Sequence, residues 1–101
     1  MIARLWIGRT RAVSADAYRE YILKTGVKDL RATKGNRGSW VFHRLEADQA
    51  EFIVISLWDT LKSIREFAGS DVEKARYYPE DDDYLLDKTE TVTHYEVAHF
   101  S

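Results

Sequence analysis

Residues 51–69 read EFIVISLWDTLKSIREFAG and describe a strand that runs straight into a helix. Glu51–Trp58 is almost wholly apolar and has the length of a strand. Asp59 or Thr60 suits the N-cap of a helix, and Gly69 suits its end. Between them, a period of 3.6 residues aligns the apolar positions Leu61, Ile64, Phe67 and Ala68.

This strand is apolar on both of its faces. Successive side chains of a strand point to opposite sides, so Phe52, Val54 and Trp58 oppose Ile53, Ile55 and Leu57. The same holds in a predicted strand over residues 39–45, where Trp40 and Phe42 oppose Val41 and Leu45. Helices can cover one face of such a sheet. A second copy of the chain is the simplest cover for the other, which predicts a homodimer packed sheet on sheet.

The remaining segments complete one domain over residues 1–101. Further strands are predicted over residues 1–8 and 91–99. A helix is expected after an N-cap at Ser14, kinked or broken at Gly26 and continued over residues 27–34. The order β-α-β-β-α-β predicts an α+β fold, a ferredoxin-like sandwich. One or two further helical turns are expected over residues 71–76, then an irregular segment over residues 77–83 whose acidic run 80–83 is solvated.

Composition excludes several classes of protein. The formal net charge is −2, which gives no basic field for nucleic acid. The chain contains no cysteine, so disulfides, thiolate nucleophiles and cysteine-ligated metals are excluded. No apolar run approaches the ~18 residues of a membrane span, and the N-terminus lacks the apolar core of a signal peptide. These features predict a cytoplasmic domain with no membrane or nucleic-acid partner.

Three stretches resemble the antibiotic biosynthesis monooxygenase family: residues 57–69 (LWDTLKSIREFAG), residues 74–81 (KARYYPED) and residues 94–97 (HYEV). The resemblance implies a dimeric α+β barrel with a pocket between the sheet and the helices of each subunit. It also implies that Trp58 faces the pocket and helps to bind an aromatic substrate, which some members oxidise without a cofactor.

The sequence departs from the family pattern in three ways. Quinone-forming members carry an Asn four residues before the Trp, where Val54 stands, and a Tyr in the next helix, where Ile64 stands. The haem-degrading branch needs an axial His in that helix, and residues 59–69 contain none. Haem binding is therefore disfavoured, and the oxygenase apparatus is incomplete.

Two residues are the catalytic candidates. Trp58 either stacks on a planar ligand or fills the junction of sheet and helix. His94 or His43 could serve as a general base, since an unperturbed imidazole pKa of ~6.5 suits that role. His94 is preferred because it lies in the family-like stretch. The three histidines have no metal-ligand spacing, so neither a metal site nor a cofactor is predicted.

Substrate binding is assigned to side chains from strand one, the second helix and the irregular segment, namely Arg4, Trp6, Phe67, Arg76 and Tyr78. Arg4 would hold an anionic oxygen of the substrate or of a developing enolate, or else form an interface ion pair. The irregular segment would act as a lid, or as an arm lying across a partner subunit.

Two functions remain open at this point. One is a monooxygenase, independent of cofactors, that acts on a small aromatic or polyketide-like substrate. The other is a non-catalytic small-molecule-binding or stress-associated protein of the same fold, whose pocket its own aromatic side chains fill.

Overall fold

The computed structural model describes residues 1–101 as a five-stranded antiparallel sheet with helices packed on one face. The strands are β1 (Ile2–Arg11), β2 (Asn36–Glu46), β3 (Gln49–Trp58), β4 (Leu85–Asp87) and β5 (Thr93–Glu96). The helices are α1 (Ala15–Lys24), α2 (Gly26–Ala32) and α3 (Leu61–Ala68). Two short 3-10 turns, Ala12–Ser14 and Pro79–Asp83, join these elements.

The sheet has the order β2-β3-β1, with β4 and β5 sharing the far edge of β1. β4 pairs with Arg9 and Thr10, and β5 pairs with residues 2–5. The predicted α+β ferredoxin-like arrangement is confirmed, because α1 and α2 follow β1 and α3 follows the β2-β3 hairpin. β4 was not anticipated, and the closing strand is shorter than the predicted residues 91–99.

The helix boundaries follow local backbone chemistry. The first helix breaks where predicted, and α2 begins at Gly26. Ser14 precedes α1, but its side chain does not cap the helix. Thr60 caps α3, since its hydroxyl accepts the Ser63 N–H at 3.2 Å. Gly69, with φ of 97°, ends the same helix and returns its N–H to the Arg65 carbonyl.

The predicted helical turns over residues 71–76 are wrong. This segment lies against residues 90–92, where the Ala75 N–H donates to the Glu90 carbonyl at 2.9 Å and the Val92 N–H donates to the Glu73 carbonyl at 2.8 Å. Carbonyl groups that a helix would have used internally accept hydrogen bonds from elsewhere in the chain. Tertiary pairing therefore overrides the local preference for helix.

The core between sheet and helices has two separate parts. The larger part contains Tyr18 and Ile22 of α1 packed on Phe52 of β3, together with Ala15, Ala50 and Leu85. The smaller part contains Leu30, Trp58 and Ile64. Phe52, Trp58 and Ile64 are fully buried. Val54 packs against both parts and marks the boundary between them.

The opposite face of the sheet is apolar and open. The cross-strand register and the alternation of side chains give this open face a set of nine apolar residues, Ala3, Leu5, Ile7, Trp40, Phe42, Ile53, Ile55, Leu57 and Tyr95. Ile7, Trp40, Phe42 and Tyr95 keep 40–54% of their surface exposed.

A charged network borders the open face at one end. Arg9 bonds to Glu46 and Glu51 at 3.3 and 3.1 Å, and Arg44 bonds to the same two carboxylates at 2.8 and 3.1 Å. The four charges thus neutralise one another within the chain. Inside this polar border, the apolar residues of the open face are in contact with water, which is unfavourable.

Removing the cap of α3 tests this local account. Thr60→Ala should lower the free energy of unfolding by about 1 kcal/mol, because the Ser63 N–H loses its acceptor. Thr60→Ser keeps a hydroxyl and should stay near wild type. Chemical denaturation followed by circular dichroism measures both. Equal stability of the alanine and serine variants would contradict the capping role.

Candidate functional site

A cavity of about 70 Å³ lies between the two parts of the core and opens to solvent on one side. Its floor is the helix-facing side of the sheet, with Arg4 and Trp6 from β1 and Val54 and Ser56 from β3. On β3, Val54 and Ser56 stand between the larger Phe52 and Trp58. Smaller side chains at these two positions leave the space that the larger neighbours would fill.

The walls and mouth of the cavity come from the helices and from the segment after α3. The helices and the junction of α1 and α2 contribute Tyr18, Ile22, Thr25, Gly26, Val27, Leu30 and Phe67. The following segment contributes Arg76, Tyr77, Tyr78, Asp81 and Val92. The structure therefore brings together all five residues assigned to substrate binding from the sequence.

Arg4 is the central charged group of the cavity. It is only 4% exposed, and its guanidinium donates to the Val72 carbonyl at 2.7 Å and to the Lys74 carbonyl at 3.0 Å. No carboxylate of this chain pairs with it. The alternative of an ion pair at a subunit interface would take a carboxylate from a second copy and stays a prediction. Burial lowers the pKa of Arg4 to about 10, which leaves it charged at neutral pH. A buried cation without a counter-ion favours an anionic ligand.

Trp6 forms an aromatic wall beside Arg4. Its indole N–H donates to the Tyr77 hydroxyl at 3.2 Å, and that hydroxyl donates to the Thr89 carbonyl at 2.6 Å. The two rings meet edge to face with centroids 6.3 Å apart. The Trp6 ring lies over Gly8, where a Cβ atom would approach Trp6 Cζ2 to 2.6 Å. The absence of a side chain at Gly8 thus allows the Trp6 ring to pack in this position.

Arg76 and Tyr78 close the mouth against α2. Both the Arg76 guanidinium and the Tyr78 hydroxyl donate to Asp29 Oδ2, at 3.1 and 2.6 Å. Arg76 also donates to the Phe67 carbonyl at 2.8 Å and lies over the rings of Phe67 and Tyr78, 4.9 and 5.0 Å from their centroids. Burial and the bond to Asp29 raise the pKa of Tyr78, so its hydroxyl stays protonated. The lid predicted for this segment is consistent with its place at the mouth.

The two catalytic candidates lie outside the lining. Trp58 is fully buried against Leu30 and Ile64, and its N–H donates to Ser56 Oγ at 2.9 Å. Trp58 therefore fills the junction of sheet and helix, one of the two interpretations made from the sequence, and supports the cavity floor through Ser56.

His94 pairs across the sheet with Arg4, and its buried Nε2 has no hydrogen-bond partner. Desolvation, followed by the charge of Arg4, lowers the pKa of His94, so the neutral ring is favoured. His43 lies far along exposed β2, where it stacks on Phe52 with ring centroids 5.6 Å apart. His94 is therefore the histidine nearer to the site.

Asp81 is a charged lining residue that the sequence analysis missed. The acidic run 80–83 was expected to be solvated, yet Asp81 is only 5% exposed. Its Oδ2 accepts the Tyr78 N–H at 2.6 Å, an arrangement that turns the side chain inward at the start of the 3-10 turn. Burial raises the pKa of this carboxyl. Pro79 two residues before an Asp is the pattern that could have indicated it.

Two glycines, Gly8 beneath the Trp6 ring and Gly26 in the cavity lining, give a matched test of this geometry. Gly8→Ala should lower the free energy of unfolding by about 1 kcal/mol, because the indole must move and lose its bond to Tyr77. Gly26→Ala should instead stabilise by up to about 1 kcal/mol, since it lies in α2 and a Cβ atom there has 3.9 Å of clearance. Thermal denaturation with tryptophan fluorescence measures both, and a Gly8→Ala variant as stable as wild type would contradict the close packing of Trp6.

Neither a metal cluster nor a membrane helix is found in the structure. No group of three or more His, Asp or Glu side chains is placed to hold a metal ion. None of the helices has the length and apolar character that crossing a membrane requires.

Comparison with known proteins gives matches in structure. No family model matches the sequence, and no curated protein matches it. A candidate antibiotic biosynthesis monooxygenase from Nitrosomonas europaea superposes with a TM-score of 0.66 at 13% identity, over 98% of this chain and 100% of that one. A second candidate of that type, from Bacillus cereus, gives a TM-score of 0.67 at 10% identity, over 99% and 97% of the two chains.

A third match is a point mutant of MhuD, described with two manganese protoporphyrin IX molecules per active site. Its TM-score is 0.63 at 10% identity, over 100% of this chain and 98% of that chain. Similarity at this level of identity establishes architecture and leaves the reaction open. The resemblance seen in the sequence is thus confirmed for the fold: this chain has the α+β fold of antibiotic biosynthesis monooxygenase-type proteins.

Proposed function

We propose that this protein binds a small aromatic or polyketide-like molecule in its cavity and oxidises it with dioxygen, without a metal or a bound flavin. The observation that carries the proposal is the buried, unpaired charge of Arg4 beside the aromatic side chains of Trp6 and Phe67. Such a site favours a flat apolar ligand that carries an anionic oxygen. The fold, shared with candidate monooxygenases, is consistent with this chemistry.

The proposed reaction converts an activated CH₂ group of the substrate into a carbonyl. Loss of a proton gives a carbanion, with its charge delocalised onto an enolate or phenolate oxygen beside Arg4. The carbanion then reduces dioxygen; one oxygen atom forms the new C=O bond and the other leaves as water. Because CH₂ and O₂ together give C=O and H₂O, no external reductant is needed. Arg4 would stabilise the anion before dioxygen reacts.

The proton acceptor in this proposal is His94. Its neutral ring and unpartnered Nε2 lie next to Arg4 across the β1-β5 pair. His94 does not line the cavity, so a bound water or a rotation of the ring must connect it to the substrate.

A second candidate function is binding without turnover. One observation favours it: the cavity lining contains no histidine, and its titratable acids are Asp81 and three tyrosines. The pKa of Tyr18 is raised by burial and by Asp81, and that of Tyr78 is raised as well, so neither serves as a base at neutral pH. The protein would then sequester or carry an aromatic anion.

The haem alternative fits the cavity poorly. The cavity of about 70 Å³ is smaller than the roughly 150 Å³ in which a single benzene ring binds inside a protein, so any aromatic ligand, the proposed substrates included, must extend through the open mouth past Arg76 and Tyr78. α3 offers no histidine to a haem iron. Porphyrin binding would require a much larger rearrangement.

The open face of the sheet supports a homodimer as part of the proposal. Its apolar residues are contiguous across β1, β2, β3 and β5, and the Arg9–Arg44–Glu46–Glu51 network borders them. An apolar centre with a polar rim is the usual composition of a stable interface. The cavity lies on the other face, so each subunit would keep its own site.

Oxygen uptake tests the proposed reaction. Anthrone- or dihydroxynaphthalene-type substrates should be consumed in air and remain unchanged under nitrogen. Arg4→Met should reduce kcat about a hundredfold, the usual loss when one donor to a developing anion is removed. Arg37→Met is the control, because Arg37 is exposed and bonds to Asp59 away from the cavity.

Three results decide between the candidates. Uptake that falls in Arg4→Met and persists in Arg37→Met supports the oxygenase. Uptake unchanged in Arg4→Met contradicts the anion site. If wild type binds these substrates and consumes no oxygen, the binding function replaces the enzymatic one.

A further inference from the structure

The carboxylate of Asp81 forms a second polar end to the cavity. The other carboxylates of its turn, Glu80, Asp82 and Asp83, are exposed, whereas Asp81 is 5% exposed and lines the cavity. A buried carboxylate is costly unless hydrogen-bond donors surround it. Its burial therefore requires an explanation in terms of what it contacts.

Most of the accepting capacity of Asp81 is unused. A carboxylate accepts about four hydrogen bonds, yet this one accepts only the Tyr78 N–H, through Oδ2. The nearest ammonium, that of Lys88, bonds to Asp82 at 2.8 Å. Oδ1 thus remains an acceptor without a donor from the chain, in a residue that faces the cavity.

Arg4 and Asp81 lie toward different parts of the core. The Arg4 guanidinium lies 5.8 Å from the ring centroid of Phe67, which packs on the smaller core part with Trp58. Asp81 lies near Tyr18 of the larger core part, whose pKa its charge helps to raise. No salt bridge joins the two groups, and Arg4 donates to backbone carbonyls instead. Aromatic and aliphatic side chains fill the lining between them.

We propose that the cavity selects aromatic molecules with two polar ends: an ionised oxygen that pairs with Arg4, and a hydroxyl or amino group that donates a hydrogen bond to Asp81. This specificity rests on the proposed function, since it takes the same cavity and the same anion site. Asp81 is thereby a specificity-determining residue, distinct from the groups proposed for oxygen chemistry.

Calorimetric titration of the folded wild-type chain with three single-ring probes tests this selectivity. The probes are benzoate, 4-hydroxybenzoate and 4-fluorobenzoate. The last two are similar in size, but only the hydroxyl can donate. We expect wild type to bind 4-hydroxybenzoate about tenfold more tightly than 4-fluorobenzoate. A hydrogen bond to a charged acceptor typically gives a difference in affinity of about this size.

Two variants locate the effect. Asp81→Asn should reduce the preference to less than threefold, and Asp82→Asn should keep it, because Asp82 is the exposed neighbour in the same turn. Circular dichroism checks that both variants are folded. If one variant does not fold, the comparison of the hydroxy and fluoro probes on wild type still tests the proposal. Equal binding of the hydroxy and fluoro probes, or a preference unchanged in Asp81→Asn, would overturn the proposal.

The benzoate arm separates this inference from the proposed function. Benzoate needs only the anion site, so its failure to bind would remove the proposed function and this inference together. Binding of benzoate without a preference for the hydroxyl would overturn only the role of Asp81.

Discussion

The structure depends on a sheet that must be shielded from water on both faces. β3 carries large apolar side chains on each side, and β1 and β2 continue the apolar surface on the open face with Leu5, Ile7, Trp40 and Phe42. The helices cover one face with a core that includes Phe52, Trp58 and Ile64. Burial of apolar area on this scale is the main favourable term in folding. The proposed homodimer would cover the remaining face for the same physical reason.

The cavity follows from how the helix side is packed. Phe52 and Trp58 each anchor one part of the core, and the smaller Val54 and Ser56 lie between them. The segment after α3 crosses this gap and places Arg76 and Tyr78 at its mouth. Arg4 enters the gap from β1, which places a buried positive charge between the two apolar parts of the core. A ligand with aromatic and anionic character would complete the packing.

Strand alternation predicted much of this from sequence, because it decides which side chains share a face. It placed Arg4 and Trp6 on one side of β1, and both line the cavity. The interpretation of the irregular segment after the second predicted helix as a lid indicated Tyr78, with Arg76 beside it, and both residues are at the site. Such predictions succeed where local periodicity alone sets the direction of a side chain.

The failures have a different physical origin. Residues 71–76 form a single turn and then pair with residues 90–92, a contact that local propensity cannot reveal. Asp81 is buried while its acidic neighbours are not, because the phase of a short 3-10 turn decides which carboxylate points inward. Trp58 and His94 share the helix-facing side of the sheet with the cavity residues but stand outside the lining. Their distance from it depends on the packing of helices and loops.

Sedimentation equilibrium at micromolar protein concentration tests the central claim most directly. If the apolar sheet face is buried against a second copy, the measured mass will be twice the chain mass of 11.8 kDa. A stable species of 11.8 kDa that shows no association across that concentration range would contradict the account.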